Sequence, residues 1–458
     1  MMHAMSIAGI TPLIQGILKG GDLFFTNVSI DTRSLSSGDL YVALVGERFD
    51  GHDFVHDAER AGACAIISER SLDTEIPLVQ VPDTRWALGR LAQLNRQAFK
   101  GGVIAVTGSC GKTTTRQMLA SVFSEQGNVI ASEGNLNNDI GVPLTLFRLS
   151  PAIDHAIIEL GASGVGEIAW TGSLAQPDVG IITMASEAHL DGFGSLENII
   201  RGKGEIIDAV PASGAVVLNR DDPAFETWRE RAGGRRIISI SALGDERADV
   251  RASDIREDTD GVAFALDGVV TAPEVRIPLP GQHNVTNALV TTAAAHAREL
   301  GVDAVVRGLA RTSAVSGRLE PVALRPGVTI LDDSYNANPA SMSSALRALA
   351  RMPGRRIAVL GDMAELGDAA RVRHESVGAE ARELGIDVLM TTGHYATAYA
   401  FGFGEPTIAA ETPEALADRL WEQLDGAASI LVKGSRSAGM DRAVAQLKKR
   451  NENECFSG

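Results

Sequence analysis

The segment Thr107-Gly-Ser-Cys-Gly-Lys-Thr-Thr114 carries the residue types needed to hold phosphate. It lies between a β-branched run, Val103–Val106, and a helical stretch that begins at Thr113. Gly108 and Gly111 let backbone N–H groups of Ser109 and Cys110 wrap an anion, and the start of a helix adds about half a positive charge. Lys112 then bridges terminal phosphates, and the Thr113 hydroxyl, beside Thr114, holds Mg²⁺. The spacing is the shorter TGxxGKT form, because Val106 stands where the longer motif has glycine. Cys110 reads as a small residue tolerated in the loop rather than a redox centre.

An enzyme that uses ATP also needs metal ligands and a base pocket. Glu159 ends the apolar run Ala156–Ile158, where a carboxylate is costly unless it binds a metal or an Arg or Lys. His189 in Glu187-Ala-His-Leu190 is a second metal candidate or a satisfied, partly buried histidine. Lys203 in Lys203-Gly-Glu-Ile206 is by itself an ordinary surface lysine. Asn219 and Asp222 follow the run Ala215–Leu218, as a turn cap or a contact to a nucleotide base.

These groups need strands and helices to position them. Short β-branched runs alternate with helical segments, which predicts parallel sheets covered on both faces. In such folds ligands sit beyond the carboxyl ends of the strands, where the polar groups above fall. The 458 residues predict about three domains. Up to about Pro82, short runs such as Leu40–Val45 and Cys64–Ile67 surround a helix, Phe54–Ala61. A second unit starts near Trp86, with a helix over Trp86–Phe99 and a parallel sheet. A third starts near Ser316, with strands Val328–Leu331, Arg356–Leu360, Val388–Met390 and Ile430–Val432. Its helices are expected over Ala340–Arg351, Ala369–Leu384, Pro413–Leu424 and Ala438–Lys449.

Composition excludes several classes. Hydrophobic residues make up 45% and charged residues 22%, as in a globular protein. The net charge of −16 argues against general binding to nucleic acid or to an anionic membrane. Cys64, Cys110 and Cys455 are too few and too scattered for a disulfide framework, which suits a reducing compartment. The uncharged run Ile277–Ala297 is broken by Pro278, Pro280 and Gly281, so no membrane insertion is expected. The N-terminus lacks the basic region of a secretory signal. A cytoplasmic location is expected.

In order, TGSCGKTT at 107–114, GNLNNDIGVP at 134–143, IELGAS at 158–163, EAHL at 187–190 and KGEI at 203–206 resemble the Mur ligase family. So do LNRDDP at 218–223, PGQHNVTNAL at 280–289, GRLE at 317–320, DDSYNANP at 332–339, LGDMAELG at 360–367 and LVKGS at 431–435. The likeness covers essentially the whole chain. GNLNNDIGVP, DSYNANPASM, LGDMAELG and the N-terminal DTR with ALVGERFDGHDF are similar to the branch that adds D-alanyl-D-alanine to a UDP-muramoyl tripeptide. No DNPR motif of the diaminopimelate-adding branch is present.

The resemblance implies an α/β chain of three domains. These are a small UDP-substrate domain over 1–83, a central phosphate-loop ATPase domain with a parallel sheet over 84–313, and a Rossmann-like C-terminal domain over 314–458. It implies ATP with two Mg²⁺ ions, UDP-MurNAc-tripeptide and D-Ala-D-Ala as substrates, and a monomer. Phosphates fall to Gly108, Gly111, Lys112 and Thr113, and magnesium to Glu159 and His189. Lys203 matches the lysine that the family carbamylates to make a metal ligand. Asn284 matches an adenosine-binding position, and Asn219 and Asp222 match such positions more loosely. Arg318 and Asp333 match residues that bring the C-terminal domain onto ATP. Asp31 and Arg33 fall where the UDP-sugar docks. Met184 and Ser186 depart from the family's usual asparagine and glycine, and a thioether cannot replace an amide contact.

Overall fold

The computed structural model describes residues 2–46, 48–258 and 261–457. Glu47, inside the ALVGERFDGHDF segment, and the side chain of Cys455 lie outside the described residues. Three larger sheets follow one another along the chain, beside a two-stranded pairing of Met5–Ser6 with Phe24–Phe25. The first has five strands, in the order Ile17–Lys19, Leu78–Gln80, Ala65–Ser68, Leu40–Val42, Val28–Ser29. Only the outer pair Ile17–Lys19 with Leu78–Gln80 is antiparallel.

The helix Thr84–Ala98 leads into the second sheet. Asp83 caps it by accepting the Trp86 N–H at 2.9 Å. Its buried face (Ala87, Leu88, Leu91, Ala92) belongs to one apolar core with Ile7, Ile14 and Val79 on one side and Val103 and Ala105 on the other. The first two domains are therefore packed as one body.

The second sheet has nine strands. From one edge they run Ala272–Ile277, Gly261–Gly268, Val250–Asp258, Arg236–Ser241, Ala215–Asn219, Val179–Ile182, Gly102–Thr107, His155–Glu159 and Val129–Ala131. The expected parallel sheet is present, extended at one side by antiparallel pairings. Six strands, from Arg236–Ser241 to Val129–Ala131, are parallel, and Val250–Asp258 joins them in parallel over two residue pairs. Gly261–Gly268 and Ala272–Ile277 add antiparallel pairings. Charged residues alternate with apolar ones along Val250–Asp258, so it buries one face and leaves the other wet, which an antiparallel edge permits. The central strands bury both faces: Val103 and Ala105 point into one core, Ile104 and Val106 into the other.

The third sheet has the order Glu320–Arg325, Val328–Asp333, Ala428–Lys433, Arg355–Leu360, Val388–Thr391, Thr407–Ala409. It is parallel except at the first pair. The chain moves outward from Arg355–Leu360 and returns to insert Ala428–Lys433 beside Val328–Asp333. The strands Val328–Asp333 and Ala428–Lys433 end at Asp333 and Lys433, which line a cavity shared with the second domain. Among the described residues no helix is long and apolar enough to cross a membrane.

Candidate active site

The strand Gly102–Thr107 ends in a loop whose backbone only glycine tolerates. Gly108 has φ +146°, and a Cβ there would lie 1.9 Å from Thr183 Oγ1; Gly111 has φ +82°. The Lys112 ammonium folds back onto the Gly108 carbonyl at 2.7 Å. Burial pulls its pKa below the usual lysine range; Glu159 and Cys110 oppose that, and Arg318 adds to it. The loop is tied to the next strand: Ser109 N–H donates to Met184 O at 2.9 Å, and Thr183 Oγ1 donates to Cys110 O at 2.6 Å. Met184 thus serves through its backbone carbonyl and also lines the cavity onto which the loop opens. Ser186 likewise contributes its carbonyl, which accepts Ser109 Oγ at 2.9 Å.

The loop opens onto a cavity of about 750 Å³ between the second and third domains. Of the residues singled out in the sequence, Ser109, Cys110, Gly111, Lys112, Thr114, His189, Asn219, Asp222, Asn284, Arg318 and Asp333 line it. Gly108, Thr113, Glu159 and Lys203 lie behind that lining, and Asp31 and Arg33 are elsewhere, in the first domain.

Thr113 donates its hydroxyl to Glu159 Oε1 at 3.3 Å, and Asn137 donates to the same oxygen at 2.9 Å. Arg116 lies 3.4 Å from Oε2, so the ion pair weighed for Glu159 is present. Yet Oε2 is buried and receives no hydrogen bond. An orphaned carboxylate oxygen beside a threonine hydroxyl is an oxygen donor set of the kind Mg²⁺ prefers. Among the described residues no three His, Cys, Asp or Glu side chains cluster to hold a metal alone. Mg²⁺ commonly takes one or two carboxylates and completes its shell with phosphate and water, so the residues fit.

Lys203 is not on the surface. It is 1% exposed on the helix Leu196–Ala209. Its spacing from Ile199 and Ile206 places it on the apolar face, a helical periodicity legible in the sequence. Its Nζ donates to Ala162 O at 3.2 Å and lies 5.0 Å from the centre of the Phe193 ring. Burial, then repulsion from Lys112, pulls its pKa down to about 7, with Glu167 and Glu205 opposing. Burial favours the neutral amine, the form of a lysine that reacts with CO₂.

Asn219 accepts the Asp221 N–H at 3.0 Å, and Asp222 accepts Ala185 N–H and Ala224 N–H, each at 2.8 Å. The turn-capping alternative therefore holds for both, although both face the cavity. Burial raises the Asp222 pKa, against those N–H bonds. Asn284 donates to Pro280 O at 2.7 Å and accepts from Asn287 at 3.0 Å.

The third domain supplies the opposite wall. Asp333 accepts Leu319 N–H at 3.1 Å and pairs with Lys433 at 2.6 Å, both side chains being buried. The Arg318 guanidinium sits 4.2 Å from the Tyr335 ring centre, and its buried Nε has no hydrogen-bond partner. Asn338 exchanges contacts with the Cys110 thiol at 3.3–3.4 Å. Lys433, Asn338, Glu365 and Asn287 also line the cavity, although their spacing in the sequence does not mark them as site residues. A lysine ending an apolar strand, Ile430–Lys433, was the available signal for the first.

Residues 25–96 match the model described as "Mur ligase family, catalytic domain", 106–295 the "Mur ligase middle domain", and 317–436 the "Mur ligase, glutamate ligase domain". The chain is 42% identical to the UDP-N-acetylmuramoyl-tripeptide--D-alanyl-D-alanine ligase of Escherichia coli (strain K12), over 98% of this chain and 99% of that one. It belongs to the Mur ligase family. Among solved members, MurF from Acinetobacter baumannii matches with a TM-score of 0.92 at 34% identity, covering 98% of this chain and 99% of that one. MurF ligase from Thermotoga maritima, solved with ADP, matches at 0.84 and 28% identity, over 93% and 98%. Three sheets in succession with a cavity between the second and third are thus the architecture of a Mur ligase.

Proposed function

We propose that this chain is an ATP-dependent ligase that joins D-alanyl-D-alanine to UDP-MurNAc-tripeptide, giving the pentapeptide precursor of peptidoglycan, ADP and phosphate. The observation that carries the substrate assignment is the 42% identity, over nearly the full length of both chains, to an enzyme named for that reaction. In this reading residues 1–83 hold the UDP-sugar through Asp31 and Arg33, 84–313 hold ATP, and 314–458 close over it. The enzyme works as a monomer in the cytoplasm. The low and scattered cysteine content is what supports a reducing compartment.

The tripeptide carboxylate attacks the γ-phosphorus of ATP, ADP leaves, and an acyl phosphate forms. The amine of D-Ala-D-Ala then attacks the acyl carbon, phosphate departs, and the amine proton is lost. The first step brings two anions together. At about 4 Å and an effective dielectric near 20 each unit pair repels by roughly 4 kcal/mol. Lys112 and Arg318 face that charge from opposite walls and offset it. Gly108, Ser109, Cys110, Gly111, Thr113 and Thr114 cradle the phosphates by backbone and hydroxyl. Asn219, Asp222 and Asn284 border the nucleoside, and Asp333, fixed by Lys433, positions the third domain on it. Thr113, Glu159, His189 and a carbamate on Lys203 would hold two Mg²⁺ ions, which supply charge neutralisation to the phosphates. Lys203 forms that carbamate when its neutral amine bonds to CO₂ and releases a proton. Closure of the third domain keeps water from the acyl phosphate.

The test is phosphate release with UDP-MurNAc-tripeptide and ATP against a panel of amines. Release that depends on D-Ala-D-Ala over many turnovers is expected. Release driven equally by glutamate or diaminopimelate would refute the assignment.

A further inference from the structure

Two loops from different domains meet beside the phosphate loop, and both bend the backbone to do so. His189 has φ +56° and Glu365 has φ +60°. A non-glycine residue rarely enters this region, and such strain persists where the surroundings impose it. The two side chains form a close ion pair through His189 Nδ1 and Glu365 Oε2. Two residues before His189, Glu187 pairs with Arg373 of the third domain at 2.5 Å.

The Glu365 loop is itself anchored. The buried His374 ring accepts the Met363 N–H at Nε2 (2.9 Å), and its Nδ1 reaches Ala370 O at 2.6 Å. The carboxylate is thus presented by a fixed loop. With Nδ1–H of His189 donating to that carboxylate, the lone pair of its ring lies at Nε2, free to bind a metal.

We propose that Glu365 is a positioning residue for His189, delivered across the domain interface, so that the ring is oriented for metal only when the third domain is docked. A ligand histidine commonly donates its second N–H to a carboxylate, which fixes its tautomer and direction. Here that carboxylate comes from the other domain, which links closure to the metal site. The inference rests on the reading of His189 as a metal-side ligand.

The experiment uses the full-length protein with ADP and Mn²⁺ as the probe, followed by electron paramagnetic resonance. Bound Mn²⁺ gives the affinity, and ring-nitrogen coupling to the ion gives the ligand. Glu365→Ala is expected to weaken Mn²⁺ binding by about 10- to 100-fold and to diminish the nitrogen coupling, with UDP-tripeptide affinity unchanged. Glu365→Gln, whose amide oxygen still accepts from Nδ1, is expected to recover part of both. Glu365 is half-exposed, so the variants should fold. Wild-type affinity and coupling in Glu365→Ala would overturn the proposal. Tighter binding would also overturn it, because the carboxylate would then be competing with metal for the ring. If His189→Ala keeps full affinity and the coupling, the ligand reading itself fails, whatever Glu365 does.

Discussion

The first domain and the inter-domain cavity treat charge in opposite ways. In the first domain Arg33 closes on Asp31 two residues away, with Nη2–Oδ2 at 2.6 Å and Nε–Oδ1 at 2.9 Å. Both side chains are in water, at 88% and 38% exposure. Lys112, partly buried in the cavity lining, and Lys203, buried behind it, have no carboxylate partner within ion-pair distance among the described residues. They donate to the carbonyl oxygens of Gly108 and Ala162, with the Phe193 ring also beside Lys203. A protein does not bury cations beside carbonyls for stability, because desolvation exceeds what such contacts return. It does so where an anion or a chemical change completes the site. Local pairing in the first domain fits the proposed docking of the UDP-sugar at an exposed surface, and cations without a carboxylate partner at the cavity fit the proposed binding of phosphate and formation of a carbamate.

The sharpest way to break that contrast is at Lys203. Lys203→Ala is expected to lose at least about 10²-fold in ligation, the scale of removing an electrostatic group from such a site. A short carboxylic acid added to the assay should restore part of the rate by filling the gap. The pH dependence has a defined sign. With the Lys203 pKa lowered to about 7, protonation gains as pH falls below 7, so the proposed carbamate should be lost there and added bicarbonate should stimulate most. Full activity without CO₂ or acid would return Lys203 to a packing role. Lys112→Ala should cost about 3–4 kcal/mol of transition-state stabilisation, roughly 10²–10³ in rate, while circular dichroism shows an unchanged fold. Wild-type turnover at saturating ATP would sink the loop assignment.

These two lysines also show what a linear reading can and cannot reach. The phosphate loop is contiguous, and its glycines, lysine and threonines declare their chemistry by spacing alone. The α/β alternation was legible for the same reason: Val179–Ile182 and Val328–Leu331 are short uncharged runs rich in β-branched residues. The antiparallel strands of the central sheet were not, because Val250–Asp258 alternates with charge and looks like surface. Lys203 was ambiguous, although Ile199 and Ile206 share its helix face. The His189–Glu365 and Cys110–Asn338 contacts join residues 176 and 228 positions apart. They exist only through docking of folded domains, which no local pattern encodes.

A third cation lies between the two extremes. Lys433 is buried like Lys203 but paired like Arg33, with Asp333 at 2.6 Å and the Asn336 carbonyl at 2.8 Å. Removing one member of a buried pair strands the other, at about 3–5 kcal/mol. Lys433→Ala is therefore expected to lower the unfolding free energy by about that much, measured by urea denaturation. The double variant Lys433→Ala, Asp333→Ala should recover part of the loss, since no uncompensated carboxylate remains. Equal loss in the single and double variants would show that packing, not charge, dominates there.

The smallest stability effect belongs to Arg33. Exposed pairs contribute little, since water already solvates both members and salt screens their attraction. The Arg33 hydrogen bonds hold the Asp31 carboxyl down at about 2. A depressed carboxyl stabilises the fold above its unfolded pKa near 3.9 and loses that contribution as pH falls toward 2. Any dependence on this pair is thus confined to acid solution. At neutral pH, Arg33→Ala should leave the thermal midpoint where it is. Its effect should appear instead in the KM for UDP-MurNAc-tripeptide, which is expected to rise while kcat and the KM for ATP hold. That split follows from geometry: the pair lies in the first domain, outside the lining of the cavity proposed for phosphoryl transfer. A fall in kcat with an unchanged tripeptide KM would mean that Arg33 reaches the chemistry after all, and the separation between docking surface and reaction cavity would have to be redrawn.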